Sequence, residues 1–180
     1  MTKTLYIVRH CKAEGQRPEA ALTSEGQAQA EALADFLTNR GIHRIISSPF
    51  QRARQSIAPL TERLRLPVET DARLVERVLS DQDLPDWLDR LRETFEDMDL
   101  SLKGGESSRV AMERATSAVR DMLKHQAMTT AVVTHGNLMV LLLKHFDDRF
   151  DFEDWKKLTN PDVFRVTVEK EKTLVERIWR

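Results

Sequence analysis

Leu5-Tyr6-Ile7-Val8, running into Arg9-His10-Cys11, is the stretch on which the fold turns. A short continuous apolar run bounded by polar residues reads as a buried strand of a parallel sheet. Ala131-Val132-Val133-Thr134, running into His135-Gly136, has the same form. Ligands of open α/β sheets bind in the crevice outside the carboxyl ends of such strands. If the two strands are neighbours, His10 and His135 face one pocket.

The rest of the chain supplies layers around such a pair. Lys12 to Ala21 is a polar loop containing Gly15 and Pro18. A helix follows from Thr23 or Ser24 to about Arg40, with Ala30, Leu33, Phe36 and Leu37 on one face and Gly41 as its stop. Residues 43–48 read as a second strand. Pro49 opens a helix to about Leu64, in which Pro59 implies a kink or break. Val68-Glu69-Thr70 is a third strand candidate. Residues 71–105 are the least regular: a loop at Asp81 to Pro85, a helix through Trp87, Leu88, Leu91 and Phe95, then a breaker at Lys103-Gly104-Gly105. Longer helical patterns run from about Glu106 to His125 and from about Asn137 to His145. Phe164, Val166 and Val168 alternate with polar residues before a charged turn at 169–172 and a last strand from Leu174 to Trp179. Strands alternating with helices predict an α/β fold: a mostly parallel sheet with helices on both faces and an antiparallel C-terminal hairpin.

At 180 residues the chain most simply forms one domain spanning 1–180. Charged residues make up 32% and hydrophobic ones 41%, the balance of a soluble globular protein. With 28 basic against 29 acidic residues, no global field favours nucleic acid or a membrane. Anion binding must then come from a local cluster of cations. One cysteine rules out an internal disulfide and fits a reducing compartment, so the cytoplasm is expected. No apolar run reaches membrane-spanning length. The composition leaves the oligomeric state open.

Three strand ends carry polar groups that suit one ligand. The first delivers Arg9 and His10, and the last delivers His135 with a helix starting behind it at Gly136. The strand ending Ser47-Ser48-Pro49 passes into a helix whose first turn carries Arg52. Two guanidiniums, two imidazoles and helix N-termini form a site for a dianion, because arginine matches phosphate oxygens in a bidentate fork and helix N-termini add donors. A histidine held in line behind phosphorus can attack it and form a phosphohistidine. The neighbouring cations keep that imidazole neutral near pH 7. A carboxyl group is still needed to protonate the leaving alkoxide, with Asp71, Glu76, Asp81 and Asp83 as candidates.

Val8-Arg9-His10, Ser47-Ser48-Pro49-x-x-Arg52-Ala53, Leu74-x-Glu76, Gly105-Glu106-Ser107 and Thr134-His135-Gly136 occur in that order. Together they resemble the histidine phosphatase superfamily, the phosphoglycerate-mutase-like proteins, across nearly the whole chain. The resemblance implies a three-layer α/β/α sandwich. It makes His10 the phosphorylated nucleophile, Arg9 and Arg52 the phosphate clamp, His135 a ligand to a phosphate oxygen and Glu76 the acid. Gly136 permits close backbone approach beside His135. No metal or cofactor is implied. The sequence departs from the family at Cys11, where glycine is usual after the histidine. Lys12-Ala13-Glu14-Gly15-Gln16 replaces the Trp-Asn pair of the mutases, and their long insertions are missing. Arg77-Val78-Leu79-Ser80 replaces a glycine common after the acid.

The expected function is therefore a phosphatase for a small phosphorylated metabolite, with inorganic phosphate as product. A phosphoglycerate-mutase-type phosphotransferase, a phosphoprotein phosphatase and a non-catalytic phospho-ligand-binding module are the alternatives. His43, His125 and His145 have no partners in sequence and read as surface or capping groups. A zinc site at His10 and His135 lacks a third ligand. Cys11 reads as a packed small residue rather than a redox switch. Glu106 and Ser107 are expected to organise a helix start, and Trp87 and Phe95 to pack in the core, with lining of the substrate side of the pocket as the alternative.

Overall fold

The computed structural model describes residues 1–180. β1 (Thr2–Arg9) and β4 (Thr129–Thr134) are parallel neighbours, with Arg9 opposite Thr134. β2 (Arg44–Ser47) pairs with the other edge of β4, and β3 (Val68–Thr70) pairs with β2, both in parallel. On the far side of β1 lie β5 (Asp162–Glu169) and β6 (Lys172–Arg177), an antiparallel hairpin. The six strands form one sheet in the order β3-β2-β4-β1-β5-β6.

Side chains of a strand alternate between faces, and this sheet buries both. Leu5, Ile7, Ile46, Val132, Phe164 and Val166 point into one core; Tyr6, Val8, Ile45, Ala131, Val133 and Val163 point into the other. α4 (Ser108–Lys124) and α5 (Gly136–Phe146) cover the first face through Ala111, Ala115, Ala118, Val119, Leu138 and Leu142. α1 (Ser24–Leu37) and α2 (Gln51–Leu64) cover the second through Leu33, Leu37, Ile57 and Leu60. The predicted sandwich is thus the observed one. Two smaller helices, α3 (Trp87–Glu96) and α6 (Phe152–Lys157), pack on each other outside the first layer.

Three local readings shift. Pro49 lies ahead of the first turn of α2, whose cap is Phe50. Pro59 does not end α2: Ile57 and Leu60, on either side of it, are fully buried, and their burial outweighs one missing hydrogen bond. The helix α6 has no counterpart in the sequence reading. No helix is long and apolar enough to cross a membrane.

Candidate active site

His10 and His135 each stand one residue beyond a strand, and the parallel pairing of those strands sets them side by side. The backbone N–H of His10 donates to Thr134 O at 3.1 Å, continuing the ladder by one step. The ring centroids are 5.1 Å apart, with planes inclined by 60°. Both residues are buried, His135 completely.

The hydrogen bonds of His10 fix which nitrogen is reactive. Nδ1 lies 2.7 Å from the Cys11 carbonyl, which can only accept, so Nδ1 carries the proton. Nε2 is then a lone pair, and it faces Arg52, whose Nε–H donates to it at 3.3 Å. Burial pulls the pKa of His10 down to about 4. The Cys11 carbonyl opposes that shift, while Arg52 and Arg9 reinforce it. The imidazole is therefore neutral at pH 7, as the cation cluster predicted, although desolvation is the larger cause. His135 is shifted well down by burial and, less, by His10, Arg52 and Arg9. Its Nε2 lies 2.8 Å from Ser48 Oγ, and its Nδ1 has no protein partner.

The two guanidiniums arrive from different elements. Arg52, in the first turn of α2, is 1% exposed and meets no carboxylate. Its Nη1 donates to the carbonyls of Gln16 and Arg17, which ties the polar loop to the site. Arg9, the last residue of β1, holds Thr159 O at 3.4 Å, and its buried Nε has no partner. A buried donor left unpaired costs about 1–3 kcal/mol, so it marks a place where an anion fits. Gly136 makes room for it: a Cβ there would lie 2.9–3.0 Å from Arg9 Nε, Cζ and Nη2. Burial lowers the pKa of both arginines, with Glu76 opposing.

Glu76 lies in the same pocket as Arg9, but it has a structural task as well. Its Oε1 accepts from Leu138 N at 2.9 Å and Arg77 N at 2.8 Å, and its Oε2 accepts from Asn137 N at 3.1 Å. The carboxylate thus caps α5, whose own cap residue, His135, offers no side-chain bond. Two first-turn donors of α5, Asn137 N and Leu138 N, are therefore taken by Glu76, while the N–H of Gly136 is not. The rival carboxylates are engaged elsewhere. Asp71 caps the 3-10 turn Ala72–Leu74 and pairs with Arg73, and the carboxyl of Asp81 packs on Gly104. Asp83 is exposed and does not line the cleft.

A cleft of about 490 Å³ opens beside Arg9, Glu76 and Asn137, walled by Trp87 and Trp155. Of the two readings of these aromatics, Trp87 takes the pocket-lining one and Phe95 the core-packing one. Asn137, Ser48 and Trp155 were not singled out from the sequence. Ser48 lies within the Ser47-Ser48-Pro49 motif and Asn137 directly follows Thr134-His135-Gly136, so position was the available signal. Cys11 is fully buried and burial pushes its thiol up to about 11, which fits a packed residue and not a redox switch. Its backbone N–H donates to Ser56 Oγ at 2.7 Å. Ser107 caps α4, and Glu106 accepts from Val78 N and pairs with Arg114.

Known proteins share this arrangement of strands. A mycobacterial hydrolase (Mycobacterial hydrolase 1) superposes with a TM-score of 0.82 at 25% identity, covering 99% of this chain and 98% of that one. Mycobacterial glucosyl-3-phosphoglycerate phosphatase Rv2419c, solved in complex with inorganic phosphate, gives 0.79 at 25% identity, over 98% and 96%. The uncharacterized protein Rv0525 of Mycobacterium tuberculosis (strain ATCC 25618 / H37Rv) is 40% identical over 79 residues, a match that spans only 40% of this chain and 39% of the relative. The family match is far longer than that. It runs from residue 5 to residue 179, and on it the chain belongs to the histidine phosphatase superfamily, branch 1.

Proposed function

We propose that this protein hydrolyses a phosphomonoester through a phosphohistidine on His10. The observation that carries the reading is the fixed tautomer of His10: Nδ1 donates to Cys11 O, and the Nε2 lone pair faces the Arg52 guanidinium. A phosphoryl group drawn in by Arg9 and Arg52 meets that lone pair. Nε2 forms a bond to phosphorus while the bond to the leaving oxygen breaks. The Cys11 carbonyl steadies the positive charge that grows on the ring. His135 and the two arginines stabilise the charge on the equatorial oxygens. Glu76 protonates the leaving oxygen from Oε2, the oxygen that accepts only one backbone bond. Water then attacks phosphorus, Glu76 takes its proton, and the P–N bond breaks to return neutral His10.

The phosphatase among the similar structures, seen with inorganic phosphate, supports a phosphate-type ligand here. One sheet with both its layers drawn from the full length supports a single domain over 1–180. The single buried thiol fits action in the cytoplasm.

Phosphate release over a panel of phosphomonoesters, with no bisphosphate primer, tests the reading. Wild type should release phosphate from at least one, and His10→Ala should lose about a hundredfold or more. Equal rates from the two proteins would sink the mechanism. Phosphoryl transfer that needs the primer would point to a mutase instead.

A further inference from the structure

The cleft beside Arg9 is apolar on one side and short of cations throughout. α3 places Trp87 and Leu91 four residues apart on one face. Leu91 is 3% exposed and closes the floor, while Trp87 stands 48% exposed at the mouth. Trp155 of α6 meets Trp87 edge to face, with ring centroids 6.1 Å apart. Phe152 is stacked behind Trp155 at 5.6 Å and holds it in place.

The charges along this cleft narrow what it can take. Its cations are Arg9 and Arg77. Arg77 is buried and engaged at every nitrogen, to Glu106 O, Thr94 Oγ1 and Ser108 Oγ. Only Arg9 keeps a donor unpaired, and the phosphoryl group takes it. The one carboxylate there is Glu76. A second anionic group on the substrate would find no free cation among the residues that line the cleft.

We infer that the leaving group is a neutral, ring-bearing alcohol, aryl or glycosyl, seated against the Trp87–Trp155 wall. The inference rests on the phosphatase reading for its phosphoryl end and on the cleft for the rest. Indoles pack on the faces of flat aromatic rings and on the apolar faces of sugars alike. Asn137, 7% exposed and with its Oδ1 unpartnered, adds a neutral polar group suited to a ring hydroxyl.

Calorimetry tests the cleft without turnover. Benzylphosphonate and the phosphonate isostere of glucose 6-phosphate are each compared with ethylphosphonate. At least one ring compound should bind about tenfold more tightly, and Trp87→Ala, checked for folding by thermal melting, should remove most of that margin. Turnover of benzyl phosphate, glucose 6-phosphate, ethyl phosphate and 3-phosphoglycerate forms the second arm. The faster ring substrate identifies the ring, and it should exceed 3-phosphoglycerate about tenfold or more in kcat/KM. The inference is overturned if neither ring phosphonate binds more tightly than ethylphosphonate, or if 3-phosphoglycerate is turned over as well as both ring substrates. A ring preference without His10-dependent phosphate release would instead overturn the phosphatase reading alone.

Discussion

His10 and Gly136 each set a measurable quantity. Free imidazole titrates near 6.5, and burial holds His10 at about 4. Between those values the unfolded chain takes up a proton that the folded one refuses. Stability should therefore fall as pH drops from about 6.5 to about 4 and level off below, by at most about 3 kcal/mol for this residue. His135, shifted in the same direction, adds to the slope. Denaturant unfolding at several pH values checks this, and His10→Gln should flatten the curve. Once the substrate's own second ionisation at about 6 is allowed for, the acid limb of kcat/KM that belongs to the enzyme should fall near pH 4; an enzyme limb near 6.5 would count against a desolvated nucleophile. At Gly136 the three atoms nearest an added methyl all belong to the end of the long Arg9 side chain. Gly136→Ala should thus raise KM about tenfold, the effect of a displaced clamp, with the melting temperature little changed.

Helix α5 is where catalysis and architecture share a side chain. Glu76→Gln keeps one carbonyl oxygen for the backbone donors but turns an amide N–H₂ toward another. The variant should lose stability by about 1–3 kcal/mol and lose most rate on poor leaving groups, less on an activated aryl phosphate. Urea unfolding and a leaving-group series separate the two effects. That double role was illegible in the sequence, because Glu76 and Asn137 are joined only by the fold. β1 and β4 were legible because a strand buried on both faces must be apolar without interruption. The same holds for α4 and α5, whose apolar stripes are long. α6 was not, since six residues with only Phe152 and Trp155 apolar carry no period. With α6 unread, Trp155 and hence the wall facing Trp87 stayed hidden. His10, Arg52 and His135 were readable as members of motifs, yet Ser48 and Asn137 beside them needed the geometry.

Across the whole molecule, the hairpin is bolted to the site through Asp162. This fully buried carboxylate accepts from Arg177 of β6, from Val163 N and from Thr159 N. Thr159 O in turn holds Arg9, and Asn160 Nδ2 donates to His10 O at 2.9 Å. Arg177→Met should cost about 2–3 kcal/mol by leaving a buried charge underpaired, and should raise KM as Arg9 loosens. Thermal melts and kinetics on one preparation decide it. The strand order carries a further consequence, for how the chain comes to be folded. Both neighbours of β1, β4 and β5, lie in the last third of the sequence. While the chain is being synthesised, Leu5 to Val8 therefore wait with both edges bare until most of the protein has emerged. Fragments stopping short of β4 should be silent as enzymes and prone to clump through that unpaired ribbon.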